Sequence, residues 1–109
     1  MAIEAAAFHR RNFDAQAFEK ITVDNTVGGK ALTSGTFGTR RYAYIQVETA
    51  PMRFRIDGGA PTTTDGHLVN PGDAIPLDSN EDITAFRAIR TTATNAVIQV
   101  TYSELKITA

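Results

Sequence analysis

From Val47 to Asp73 the chain reads VETAPMRFRIDGGAPTTTDGHLVNPGD, and no other stretch narrows the fold as much. Met52, Phe54 and Ile56 alternate with Arg53, Arg55 and Asp57. A period of two lets one face of a strand be buried while the other is wetted. Asp57-Gly58-Gly59 then closes the strand, because Asp-Gly and Gly-Gly pairs tolerate the positive φ of tight turns. Residues 60–66, APTTTDG, read as a surface loop, and His67-Leu68-Val69 as a short strand. Asn70-Pro71-Gly72-Asp73 is a β-turn with Pro second and Gly third, the order of a type II turn.

The same texture runs along most of the chain. Ile21-Thr22-Val23 alternates and stops at Asp24-Asn25. Val27-Gly28-Gly29-Lys30 reads as a turn or bulge, and 32–38 as an irregular stretch or weak edge strand. From Arg41 to Thr49, Ala43, Ile45 and Val47 fall on one side and Tyr42, Tyr44, Gln46 and Glu48 on the other. Pro51 donates no ladder bond, which sets it at a strand junction or an edge. Ala74 to Leu77 is a short strand, and 78–82 an acidic turn. Ile83 to Arg90 reads as a strand with a fault of parity, and a β-bulge near Ala85-Phe86 brings Phe86 and Ile89 into one core. Ala96, Ile98, Val100 and Tyr102 alternate cleanly in a last strand that runs to about Leu105. Seven or eight closely spaced strands with no long helix between them predict an all-β fold, an antiparallel β-sandwich or small jelly roll.

Residues 1–19 differ. MAIEAAAFHRRNFDAQAFE is rich in Ala, and Phe8, Phe13 and Phe18 are spaced five apart. Five residues advance a helix by about 500°, so the three rings share no helical face. The expectation is an N-terminal arm over 1–19, partly helical or extended, used for contact between subunits, and a β domain over 20–109. The Thr/Gly-rich stretch 26–39 is the candidate mobile loop.

With 109 residues the chain suits one domain. It contains no cysteine, so disulfides and thiolate metal sites are excluded. The formal net charge of −1 and the absence of a basic stripe argue against nucleic-acid capture. Apolar Ala5-Ala6-Ala7-Phe8 precedes its charges, the reverse of a secretory signal, and no run approaches a membrane span. The expectation is a whole protein folded in the cytoplasm, with no nucleic-acid or membrane partner.

Chemistry finds little support. His9 and His67 are the two histidines, and a zinc site needs three or four ligands. Ser34, Ser79 and Ser103 lack an elbow motif and an adjacent histidine. Most of the 12 acidic residues lie in turns, where Asp serves the backbone. The glycine pairs have neither the spacing nor the following helix of a phosphate loop. The expectation is no enzyme, no cofactor and no metal. Tyr42, Tyr44, Arg41, Arg53 and Arg55 are outward-facing residues of the types that anchor interfaces, and with Phe8, Phe13 and Phe18 they form the predicted contact surface.

The segment RFRIDGGAPTTTDGHLVNPGD, followed by FRAIRTTATNAVIQVTYSE, resembles a recurrent small protein of tailed bacteriophages. Its pattern meets this chain at Phe54, Arg55, Asp57, Gly58, Pro61, Gly66, His67, Asn70, Pro71, Gly72, Asp73, Phe86, Arg87, Ile89, Arg90 and Tyr102. The resemblance spans roughly residues 20–104 and omits the arm. It implies a virion component, most simply a head decoration protein. Such a protein binds the major capsid protein on the outer capsid surface as a homo-oligomer, with a trimer favoured. A neck, tail or fibre-associated module and a carbohydrate-binding sandwich using Tyr42, Tyr44 and the 60–66 loop are the alternatives. The pattern consists of fold-defining residues and carries no catalytic one.

Overall fold

The computed structural model describes residues 13–105. Eight strands and two short helices follow in the order β1 (Phe13–Val23), β2 (Lys30–Ala31), α1 (Ser34–Phe37), β3 (Tyr42–Glu48), β4 (Met52–Arg55), β5 (His67–Val69), β6 (Ala74–Leu77), α2 (Asn80–Ala85), β7 (Arg87–Arg90) and β8 (Ala96–Leu105). They form two four-stranded antiparallel sheets, β1-β8-β3-β6 and β2-β7-β4-β5. The expected all-β sandwich is the fold.

Alternation accounts for the packing. Ala43, Ile45 and Val47 of β3 and Ala96, Ile98, Val100 and Tyr102 of β8 point inward from the first sheet. Met52 and Phe54 of β4 and Ala88 of β7 point inward from the second. All belong to one apolar cluster. Chain passes between the sheets at Thr49, whose φ is +78° and whose neighbour Ala50 donates its N–H to Glu48 O at 2.9 Å. This is a positive-φ γ-turn, an uncommon and strained link for a β-branched residue. The Asn70–Asp73 turn closes with Asp73 N–H on Asn70 O at 2.9 Å and Gly72 at positive φ, as Pro-Gly at its centre requires.

Three expectations are corrected by the geometry. Residues 13–19 are strand, the first part of β1, paired with β8 from Phe13 opposite Leu105 to Val23 opposite Ala96. The ladder shifts register between Ala15 and Ala17, so Gln16 is bulged. Residues 1–12, and with them Phe8, lie outside the described residues. Inside the ladder Glu19 faces the core side. It accepts the Tyr102 hydroxyl at 2.5 Å and the Thr33 N–H at 3.2 Å. The carboxylate is only part-buried, and the two donors replace water that the Tyr102 ring and the neighbouring strand exclude from one side of it. Burial first, and the hydrogen bond to Glu19 second, push the Tyr102 hydroxyl pKa far above its ordinary value.

The second correction concerns 83–90. Instead of a bulged strand, the Ser79 hydroxyl accepts the Asp82 N–H at 3.1 Å and caps α2. Ile83 and Phe86 are three residues apart, a helical spacing, and both are fully buried. The apparent parity fault is the junction of a helix and a strand. Phe86 stacks on Phe54 with ring centroids 5.5 Å apart. Ile89 is not in that core: it stands opposite Arg53 on the outer side of the second sheet.

Third, the Thr/Gly-rich stretch 26–39 is anchored. Gly29 N–H closes a turn on Thr26 O at 2.9 Å. Leu32 and Phe37 are buried in the main core, Phe37 as the last residue of α1.

Two measurements check this fold. Removing residues 1–12 leaves every β1–β8 pair, whereas removing 1–19 deletes six of the ten pairs and Glu19. Urea unfolding followed by circular dichroism is expected to stay cooperative for the first truncation and to be lost for the second. Phe86→Ala is expected to cost about 3–5 kcal/mol, and Tyr102→Phe about 1–2 kcal/mol through the hydrogen bond lost to the Glu19 carboxylate.

Candidate functional site

The two sheets expose very different outer faces. On the first sheet one row crosses all four strands: Phe18 stands opposite Thr101, Thr101 opposite Tyr44, and Tyr44 opposite Pro76. Phe18 is 60% and Tyr44 46% exposed, two of the few large apolar side chains left in solvent among the described residues. The next row is Lys20, Gln99, Gln46 and Ala74. Alternation forces this face outward, because its in-between neighbours fill the core. Towards the Phe13 end, Tyr42 stands opposite Ser103, and the Arg41 guanidinium meets the Glu104 carboxylate at 2.8 Å.

The outer face of the second sheet is partly covered by its own loop, which leaves Leu68 half exposed. Arg53 donates to Gly66 O at 2.9 Å and to Thr63 O at 3.2 Å. Arg55 grips the Asp57 carboxylate through two nitrogens, at 3.0 and 2.6 Å, and reaches Ala60 O at 3.3 Å. These bonds fold residues 57–66 back over the sheet. Pro61 is buried there, and with Ile89, which lies outside the main core, it lines a second open cleft. The approach is close: a Cβ on Gly66, which has φ +129°, would sit 3.1 Å from Phe54 O and 3.2 Å from Arg53 Cβ. An open cleft of about 550 Å³ remains between Arg55, Asp57, Asp65 and His67. The His67 ring rests against Phe54 at 5.3 Å between centroids.

The predicted contact residues therefore separate. Phe18, Arg41, Tyr42 and Tyr44 belong to the first sheet and its margin. Arg53 and Arg55 lie on the opposite side of the sandwich, bonded to loop backbone and to Asp57. The remaining strand arginines behave similarly. Arg87 donates to Thr84 O and Phe86 O at 3.2 and 2.9 Å, and Arg90 to Asn95 Oδ1 at 2.5 Å. Tyr42 and Tyr44 are likewise not brought together with the 60–66 loop, the grouping a sugar platform required. Phe13 enters the structure as the first β1 position, opposite Leu105. Thr101 and Pro76 were missed as members of the exposed row. The period-two pattern marks Thr101 as outward, but only the strand order sets it between Phe18 and Tyr44.

Chemically, the described residues include no group of three His, Cys, Asp or Glu side chains that could hold a metal ion. No described helix is long and apolar enough to cross a membrane. Comparison of the chain with protein-family models, curated proteins and solved structures finds no match.

One titration is distinctive. The Arg55 fork, aided by the Gly59 N–H, lowers the Asp57 carboxyl pKa to about 2. A carboxyl depressed in the folded state adds stability that is present above about pH 4, its ordinary range. That contribution fades as pH falls through about 2. Carboxyl carbon shifts of Asp57 are expected to titrate with a midpoint near 2, and the Gly59 amide to move with them. A midpoint near 4 would mean that the fork is not formed in solution.

Proposed function

We propose that this chain is a non-enzymatic structural protein of a tailed-phage virion. It sits on the outer surface of the head as a homo-oligomer, a trimer at local three-fold points, and clamps neighbouring major capsid subunits. It is made in the host cytoplasm and needs no cofactor. Its mechanism is the burial of surface across joints between capsid subunits. A standard interface buries about 1,600 Å², and repetition over a shell adds avidity.

The observation that carries this reading is the contrast between the two outer faces. On the second sheet the polar groups of the resemblance motif, Arg55, Asp57 and the 60–66 loop, are spent on one another, which suits a scaffold motif better than a reaction centre. On the first sheet the exposed rings of Phe18 and Tyr44, with Thr101 between them, have no such cover from the described residues. A sandwich with one face bonded to its own loop and the other presenting Phe18 and Tyr44 to solvent has the construction of an interaction module. The phage resemblance supplies the kind of assembly.

Purified particles imaged by electron microscopy test the reading. The sandwich is expected as regularly spaced density on the head exterior. Tyr44→Glu is expected to reduce its occupancy at least tenfold while the isolated variant keeps the wild-type circular dichroism spectrum. Heads that lack the protein, or density confined to the neck or tail, would overturn the assignment.

A further inference from the structure

Hydrogen-bond direction can be followed strand by strand across the first sheet. Val47 donates its N–H to Asp73 O at 2.9 Å and accepts the Gly72 N–H at 2.8 Å, so its backbone faces β6. Successive residues of an antiparallel strand bond to alternate sides. Tyr44 and Gln46 therefore face β8, where they oppose Thr101 and Gln99. Ile98 and Val100 of β8 then face β1, and their partners Ile21 and Glu19 face back. Phe18, Lys20 and Thr22 are left turning their N–H and C=O groups away from the sheet, and all three are exposed. Pro76 agrees with this phase: opposite Tyr44, it has no N–H to give β3, and its ring nitrogen faces outward.

The four sheet edges are unequal. β2 has two residues and β5 three. β6 has four, and Pro76 removes one of its outward donors. β1 pairs regularly with β8 from Ala17 to Val23, and no described strand pairs with its far side. A long edge with free backbone groups is a template for another strand.

Two charges decide which strand fits. Lys20 lies on the outer face, and Glu19 on the core side, where its part-buried carboxylate accepts from Tyr102 and Thr33. An added strand places one side chain directly opposite each. β1 of a second copy fits poorly. Antiparallel pairing must set outward backbone positions against each other. One register puts Glu19 against Glu19 and another Lys20 against Lys20, and like charges directly opposite are destabilising. The registers on either side put Glu19 against Ala17 or Val23, which strips water from a carboxylate without supplying a cation. No register brings Glu19 to Lys20, because the two lie on opposite faces of the sheet. A strand with a cation opposite Glu19 and an anion opposite Lys20 meets neither obstacle.

We propose that the free edge of β1 receives an extended segment of a partner protein, antiparallel, with a basic residue opposite Glu19, an acidic one opposite Lys20 and an apolar one opposite Phe18. The apolar residue lengthens the exposed row of Phe18 and Tyr44 by one strand. The inference rests on the preceding reading only for the partner's identity, a major capsid subunit.

The probe is the end-capped peptide VTIEKFV. Laid antiparallel, its glutamate meets Lys20 and its lysine meets Glu19; the control VTIKEFV exchanges them. In the free full-length protein, the amide hydrogens of Phe18, Lys20 and Thr22 are expected to exchange fast and those of Glu19 and Ile21 slowly. Saturating VTIEKFV should slow the first three, and NMR titration should show it binding about fivefold tighter than VTIKEFV. Lys20→Pro removes an outward N–H and no bond to β8. It should keep the circular dichroism spectrum, lose the peptide, and bind heads at about a tenth of wild-type occupancy or less. If that variant unfolds, Lys20→Glu replaces it and should prefer VTIKKFV to VTIEKFV.

Protection of Phe18, Lys20 and Thr22 in the free protein overturns the proposal, since the edge would already be covered. So do equal affinities for the two peptides, binding of neither, or binding that leaves those three amides unchanged. Peptide capture by a protein absent from heads would keep the edge site and remove the capsid subunit as its partner. Head occupancy that Lys20→Pro leaves unchanged would remove the edge contact and keep the virion reading.

Discussion

The ladder between β1 and β8 holds the most distant described parts of the chain together. Phe13 pairs with Leu105 and Val23 with Ala96, so the first and last described strands lie side by side. β8 then pairs with β3 on its other edge, which makes the last strand an interior member of its sheet. Four of the inward core residues of the first sheet come from β8. The first sheet cannot be completed until the whole chain is present. Closing so long a loop costs entropy before any contact repays it, which predicts slow, cooperative assembly. Glu19 sits at the middle of this arrangement. Its carboxylate ties Tyr102 of β8 and the entry to α1 into one polar knot beside the core.

Strand alternation made much of this fold legible in advance. β3, β4 and β8 follow period-two runs, and β4, β5 and β6 stop within two residues of Asp or Pro, because a half-buried strand and a tight turn each demand particular residue types. The failures share a cause: local irregularities hide the period. In β1 the bulge at Gln16 breaks parity, and the Ala-rich composition imitates a helix or a free arm. Phe13 and Phe18, of opposite parity by spacing, reach register positions four residues apart on β8, opposite Leu105 and Thr101. In 83–90 a helix capped by Ser79 meets a strand, and two periods read as one produce a fault. The signal was present in Ser79-Asn80-Glu81-Asp82, a cap residue followed three positions later by an acid.

The candidate site was less legible for a different reason. Outward residues can be read from a strand, but which sheet they decorate depends on strand order. Arg53 and Arg55 are outward as expected, yet on the far side from Tyr42 and Tyr44. Their guanidinium groups are planar forks suited to backbone carbonyls and carboxylates. In this chain they hold a loop. Nothing in the residue types alone distinguishes an arginine that stitches a loop from one that greets a partner. The distinction comes from the length of 57–66 and the Gly66 position that lets it lie against β4.

The placement of Ile89 and Pro61 outside the main core has a dynamic consequence. Ile89 lies on the opposite side of the second sheet from the main core, and the loop beside it is held mostly by polar bonds of Arg53 and Arg55 at or near the surface. Such a flap can lift without disturbing Phe54 or Phe86 beneath the sheet. Amide hydrogens of 60–66 then exchange through a local opening far cheaper than global unfolding, while those of β8 wait for the whole domain to open. The two sides of one thin sheet thus belong to different cooperative units.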